Sequence, residues 1–316
     1  LCKSGTFSSA DVARLIGGDE PHTLDLIAAA RVERERHFGR DVVIHVLSNA
    51  KAGRCSEDCG FCSQSVRFES GIEAHPVKNE ATLLEEAHAA ARIGAGKFCI
   101  VTATRAATPD LIARIEPAIR LIKADFPELK LCGSFGLLDE AGAARLKAAG
   151  LDRYNHNLET SEAFYPRLAT THSWRERFDT VRRAREAGLE ICSGGIVGLG
   201  ESAEDLADLL FALKEVAADS IPINFFNPRP GTPLGERPPI EPMRALRILA
   251  VTRLVHPLVD VRAAGGREAV LGPLQPLALY AASSIFSNGY LTTGGQGIAE
   301  DEAMIRALGY RIAGYE

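Results

Sequence analysis

The stretch Arg54-Cys55-Ser56-Glu57-Asp58-Cys59-Gly60-Phe61-Cys62 sets three cysteines at a C-x3-C-x2-C spacing, just after a predicted strand and inside a Gly-containing loop. Three thiolates are an incomplete set for structural zinc, which takes four ligands, and no further Cys or His follows at knuckle distance. A cubane iron–sulfur cluster accommodates the deficit, because three irons take the cysteines and the remaining iron is left for a non-protein ligand. The plain alternative is three cysteines without a shared task. Free Cys usually sits singly in cores, and random loops seldom concentrate so rare a residue.

Outward from this loop the chain alternates. From Asp41, short apolar or β-branched runs are followed by Ala-rich and charged helical segments. The predicted strands are Val42 to Leu47, Lys97 to Thr102, Leu129 to Ser134, Arg153 to Leu158, Glu190 to Gly194, Ser220 to Phe226, Leu258 to Arg262 and Ser284 to Phe286. The helices fall near Glu80 to Ile93, Pro109 to Ala124, Glu140 to Ala149, Trp174 to Ala187, Ser202 to Val216, Glu241 to Val255 and Leu274 to Ala282. Such βα repeats fit an α/β fold of the (β/α)8 TIM-type barrel class. A doubly wound open sheet is the alternative, but its first strand is normally followed by a Gly-rich phosphate fingerprint, and here cysteines occupy that place. Residues 1–40 read as an N-terminal helical extension, 41–300 as the barrel and 301–316 as a C-terminal tail. Gly150 and Gly188 stand where helices turn back into strands and supply left-handed caps.

Composition narrows the function. The chain of 316 residues is 46% hydrophobic, ample for one large core. A net charge of −5 and a pI near 6.0 argue against the basic surface that nucleic acids or anionic membranes require. No run approaches transmembrane length and no signal-peptide core is evident, so the expectation is a soluble cytoplasmic protein. In that setting seven cysteines read as reduced ligands rather than disulfides. Cys2, near the start, is assigned no function.

Polar residues recur inside the predicted strands: Cys99, Cys132, Cys192, Asn155, Asn157, Asn224 and Arg262. Barrel strands are flanked outside by helices, so these side chains face the lumen or are buried at a cost of roughly a few kcal/mol per unpaired group. Asn155 and Asn157 are two apart and share a face. Taken singly, each strand cysteine is a small hydrophobe. Together they place thiolate charge in the interior, which either a metal cluster or Arg262 can balance.

With an aromatic just before its third cysteine, the loop resembles that of the radical S-adenosylmethionine (SAM) superfamily. The longer motif Cys55-Ser56-Glu57-Asp58-Cys59-Gly60-Phe61-Cys62-Ser63-Gln64-Ser65, with Phe98-Cys99, Cys132, the run Tyr154 to Ser161 and the run Ile191 to Glu201, is similar to the biotin synthase family. So are Pro222-Ile223-Asn224, Pro230 to Leu234, Val261-Arg262 with Gly266-Arg267-Glu268, and Tyr290-Leu291-Thr292-Thr293. The resemblance implies a 4Fe-4S cluster on Cys55, Cys59 and Cys62 that binds SAM, and a 2Fe-2S cluster on Cys99, Cys132, Cys192 and Arg262 that supplies sulfur. It implies SAM contacts from Phe61, Asn157, Glu159, Arg177, Ile196 and Glu201, and substrate contacts from Asn155, Asn157 and Asn224. Glu159 stands where some members have Asp. The implied substrate is dethiobiotin, the implied electron donor a flavodoxin or ferredoxin, and the implied assembly a homodimer. Two rivals remain: a related radical SAM enzyme lacking the second ligand set, and a non-catalytic zinc or iron–sulfur protein whose metal only staples a loop.

Overall fold

Period-two burial in the strands explains the architecture. In the strand Asp41–Lys51 (β1), Val42 and Ile44 belong to the main apolar core, while Leu47 packs with the strand cysteines on the other face. The same division runs through Lys97–Thr102 (β2), where Phe98 and Ile100 face the core and Cys99 and Val101 the lumen. It continues in Lys130–Ser134 (β3), Arg153–Asn155 (β4) and Glu190–Cys192 (β5). Gly195–Val197 (β6), Ser220–Phe225 (β7), Asp260–Ala263 (β8) and Ser284–Phe286 (β9) follow. All pairings are parallel, in the order β1-β2-β3-β4-β5-β7-β8-β9, and β9 returns to β1, with Val43 opposite Ser284. The chain is therefore a closed (β/α)8 barrel. The computed structural model describes residues 7–19, 21–292 and 294–313; Cys2 and Thr293 lie outside them.

The helices are Ser9–Gly17 (α1), Thr23–Phe38 (α2), Glu80–Arg92 (α3), Pro109–Asp125 (α4), Glu140–Ala149 (α5), Trp174–Glu186 (α6) and Ala203–Glu215 (α7). Pro242–Val255 (α8), Arg267–Leu271 (α9), Gln275–Ala278 (α10) and Ile298–Ala307 (α11) complete the set. At three of the starts Ser8, Ser173 and Ser202 form capping boxes with Asp11, Glu176 and Asp205. Gly150 closes α5 at φ +104° and Gly188 follows α6 at φ +81°, values that L residues with a Cβ seldom adopt. α1 packs against α7 and α8, and α2 against α8. The residues of α8 from Ala245 to Arg253 are consequently buried around the whole helix, with Arg247 donating to the Leu15 and Pro21 carbonyls.

Several regions differ from the sequence expectation; β4 ends at Asn155, so Asn157 follows the strand and does not lie within it. Glu190 to Gly194 is not one strand: β5 ends at Cys192, and β6 resumes at Gly195 beside β7. The chain breaks there because a Cβ on Gly194 would lie 2.0 Å from the Pro222 carbonyl oxygen, and one on Gly195 2.5 Å from that of Glu159. The stretch read as a tail from residue 301 instead carries most of α11 and then Arg311–Ile312 (β10), which pairs with β1.

Candidate active site

The cysteine loop leaves β1 and is tied back onto itself. Cys55 N–H donates to the Gln64 carbonyl at 3.0 Å, Val66 N–H to the Cys55 carbonyl at 2.8 Å, and the Gln64 side chain accepts from Gly53 N–H at 3.1 Å. Gly60 N–H donates to the Leu168 carbonyl at 2.7 Å, and Leu234 N–H to the Gly60 carbonyl at 3.1 Å, which docks the loop on two other segments of the barrel mouth. Phe61 and Cys62 line a cavity of about 280 Å³, while Cys55 and Cys59 stand behind them, partly buried. Burial pushes all three thiols up, Cys62 to about 11, because no cation compensates their charge fully.

A polar chain joins this loop to the residues that follow β4. Glu57 pairs with His172, Oε2 to Nδ1 at 2.5 Å, and accepts from Thr171 Oγ1 at 2.8 Å. His172 Nε2 in turn meets Tyr165 Oη at 2.7 Å and Arg177 Nη1 at 3.0 Å, so that ring nitrogen accepts and Nδ1 carries the proton. Arg177 Nε donates to the Asn157 carbonyl at 2.6 Å and Nη2 to Glu159 Oε1 at 3.2 Å. Burial raises the Glu159 carboxyl despite Arg177. Its backbone takes φ +69°, a left-handed conformation that is uncommon outside glycine.

Deeper in the same cavity, strand register brings the second cysteine set together. Cys99 is directly opposite Cys132, and Asn155 is opposite Cys192. The three thiols form one buried cluster against Leu47, Val101 and Phe286. Arg262 Nη1 lies 3.6 Å from Cys192 Sγ, and the guanidinium is buried. Burial opposes the charge of Arg262, but Cys192, then Asp260 and Cys99, hold its pKa above the ordinary value. Hydrogen bonding to Cys132 and burial push Cys192 well up; Cys132 itself is pushed to about 12.

The asparagines divide. Asn224 already braces the backbone, Nδ2 donating to the Gly195 carbonyl at 3.2 Å and Oδ1 accepting from Gly265 N–H at 3.0 Å. Asn157 Oδ1 accepts from Gly194 N–H at 3.2 Å. Asn155 lines the cavity with no side-chain partner among the described residues. Ile196 lines it too, whereas Glu201 does not: its Oε1 accepts from Gly198 N–H at 2.8 Å and so braces the loop after β6. Sequence reasoning passed over Tyr290 and Phe286 in the cavity wall, and the partners Glu57, Tyr165 and His172. Tyr290 belongs to a quoted motif, which was the available signal.

The donor chemistry fits polynuclear clusters. A single ion draws its ligands to about 2.3 Å from one point. Among the described residues no three His, Cys, Asp or Glu side chains are arranged to hold a single ion, whereas Cys62 of the loop and all three strand cysteines line one cavity, the strand set beside a buried guanidinium.

The barrel with a cysteine loop after its first strand is that of a radical SAM enzyme, as the family match shows. The Radical SAM superfamily model matches residues 51–213, and the Biotin and Thiamin Synthesis associated domain matches residues 222–311. The chain is 48% identical over 303 residues to a biotin synthase of Salinibacter ruber, covering 96% of this chain and 84% of that protein. It is 45% identical over 296 residues to a biotin synthase of Thermus thermophilus, covering 92% and 90%. The chain belongs to the biotin synthase family, whose reaction inserts sulfur into dethiobiotin to give biotin, cleaving two SAM to methionine and 5′-deoxyadenosine and drawing sulfur from an auxiliary iron–sulfur cluster. Among solved structures, methylornithine synthase superposes with a TM-score of 0.85 at 20% identity, covering 98% of this chain and 95% of that one. An FeFe-hydrogenase maturase from Carboxydothermus hydrogenoformans gives 0.85 at 16% identity, covering 98% and 76%; both likenesses concern the fold.

Proposed function

We propose that this chain performs biotin synthase chemistry with Cys55, Cys59 and Cys62 as ligands of the SAM-binding 4Fe-4S cluster and Cys99, Cys132, Cys192 and Arg262 as ligands of a sulfur-donating 2Fe-2S cluster. The observation that carries this reading is the buried contact cluster of the three strand cysteines, with Arg262 Nη1 3.6 Å from Cys192 Sγ, inside the cavity that Cys62 also lines. When bound, the clusters and SAM supply what no side chain can: a radical able to take hydrogen from an unactivated C–H bond, and the sulfur. The protein's part is placement and exclusion of water. Phe61, Asn157, Glu159, Arg177 and Ile196 bind SAM, with Glu201 acting through the loop it braces. Asn155, whose amide has no partner among the described residues, makes the direct contact with the ureido ring of dethiobiotin, which offers paired N–H donors and a carbonyl acceptor. Asn157 and Asn224 present the amide valences that their backbone contacts leave over. Within the extension 1–40, α1 and α2 cover α7 and α8. A flavodoxin or ferredoxin supplies electrons, and the enzyme works as a cytoplasmic homodimer.

The test separates the two ligand sets. In Cys132→Ala, biotin formation should be lost while reductive SAM cleavage persists at least in part, read as 5′-deoxyadenosine and biotin quantified from the same reaction with iron content alongside. Normal biotin yield from Cys132→Ala protein that lacks the second cluster would defeat the sulfur-donor assignment.

A further inference from the structure

Arg262 is held along one edge and faces the cysteines along the other. Its Nε donates to Ser284 Oγ at 3.1 Å, and its Nη2 to Ser220 Oγ at 2.6 Å and Asp260 Oδ2 at 3.1 Å. Both serines hand the contact on to the same carboxylate: Ser284 Oγ donates to Asp260 Oδ1 at 2.7 Å and Ser220 Oγ to Oδ2 at 2.8 Å. Ser283 Oγ donates to Oδ1 at 2.8 Å and fills the remaining side. Strand register builds this hub. Asp260 and Arg262 are two apart on β8 and share its lumen face, Ser220 on β7 is opposite Asp260, and Ser284 on β9 is opposite Arg262.

Orientation and charge both depend on the carboxylate. A serine hydroxyl has one proton to donate, so Ser220 and Ser284 can each accept from Arg262 and satisfy their own O–H only while Asp260 is present. The surrounding charges are cationic. Arg262, then His45, whose Nε2 lies 4.0 Å from Asp260 Oδ2, and Lys97 act on Asp260; Arg153 also feels this carboxylate but has its own partner in Glu190 at 2.7 Å. Asp260 is therefore the counter-charge that keeps Arg262 at the barrel floor with Nη1 left for Cys192.

We infer that Asp260 is a positioning residue for the sulfur-donor site: acting directly and through Ser220 and Ser284, it orients the Arg262 guanidinium so that Nη1 faces the thiolate cluster. The inference rests on the assignment of Cys99, Cys132, Cys192 and Arg262 as the auxiliary ligand set. Without the carboxylate the long Arg262 side chain regains its rotamers, and the cluster loses its fourth contact without any change in the cysteines.

The experiment measures the half-time for loss of the two-iron cluster in chelator, using Mössbauer spectroscopy to separate two-iron from four-iron species, in the reconstituted parent, Asp260→Asn, Arg262→Ala and the double variant. Thermal melting of each protein is recorded alongside. Asp260→Asn is expected to shorten the half-time several-fold, approaching Arg262→Ala, and the double variant to be no faster than Arg262→Ala, because the two changes act on one interaction. Ser284→Ala, which removes one arm of the clamp without altering charge, should fall between parent and Asp260→Asn, and it decides the matter if Asp260→Asn does not fold. A parent half-time in Asp260→Asn and Ser284→Ala, with a shortened one in Arg262→Ala, overturns the positioning role while leaving the ligand assignment standing. Independent multiplication of the two effects in the double variant overturns it as well. A parent half-time in Arg262→Ala, or a parent protein without a two-iron cluster, overturns the ligand assignment itself.

Discussion

His172 shows how much a single ring can connect. Its Nδ1 edge meets Glu57 in the cysteine loop, and its Nε2 edge accepts from Tyr165 and Arg177 on the side proposed for SAM. Burial opposes the charge on Glu57, but Thr171, His172 and Arg105 outweigh it and hold the carboxyl below its usual range. The ring itself is held below the ordinary histidine value, first by burial and then by Arg177, consistent with a neutral tautomer that can accept. Two substitutions separate its edges. His172→Asn keeps a donor near the Nδ1 position, whereas His172→Gln places its amide near Nε2. Loss of the acceptor for Arg177 should weaken SAM binding about tenfold, or about 1.4 kcal/mol, in His172→Asn and distinctly less in His172→Gln, by equilibrium dialysis. Equal losses in both variants would reduce His172 to a packing residue.

Among the elements, the interrupted β5–β6 strand is the most demanding. Gly194 has no room for a side chain, since its Cβ would sit 2.0 Å from the Pro222 carbonyl oxygen, and Pro222 is two residues before Asn224 on β7. Gly194→Ala must push β7 aside. It should cost about 1–3 kcal/mol in urea unfolding, the usual penalty of overpacking, and lower SAM affinity with it. Gly188→Ala, where a Cβ would meet only Lys147 Cε at 3.8 Å, should leave SAM affinity at the parent value. These elements also show where sequence reasoning succeeds. α5 runs from Glu140 to Ala149 as expected because Asp139 caps one end and Gly150 the other, and both signals are local. β2 and β9 are likewise bounded as expected. The helix expected from Leu274 to Ala282 shrinks to α10, and α9 appears before it, because consecutive short turns at Gly272 and Leu274 leave no periodic face to read. The cysteines are legible through rarity and spacing. Asp260, Ser220 and Ser284 are not, because their meeting depends on the register of three strands far apart in sequence.

At the scale of the whole molecule, the last helix is secured to the barrel by a pair of buried charges. Arg267 of α9 and Asp301 of α11 are 1% and 0% exposed in their side chains, with Nη2 to Oδ1 at 2.8 Å. Gln296 Nε2 donates to the same oxygen at 3.1 Å, and Arg267 Nη1 donates to Gln275 Oε1 at 2.8 Å. The connection matters because the segment between β9 and α11 passes Tyr290 and Thr292 in the cavity wall before it reaches Asp301. Asp301→Ala leaves the buried Arg267 with Glu268 Oε1, 3.0 Å from Nη2, as its remaining ionic partner, so it should cost about 3 kcal/mol in urea unfolding, the low end for breaking a buried pair. Replacing both with apolar residues, as in Arg267→Met with Asp301→Leu, should recover most of that loss, because the carboxylate then left without Arg267 is Glu268, whose side chain is 30% exposed to water. Hydrogen exchange distinguishes a local role from a global one. If the pair holds the cavity wall, Asp301→Ala should raise amide exchange at Asn288 and nearby residues of that segment while β2 and β3 stay protected, whereas equal deprotection of those strands would mean that the pair supports the barrel as a whole.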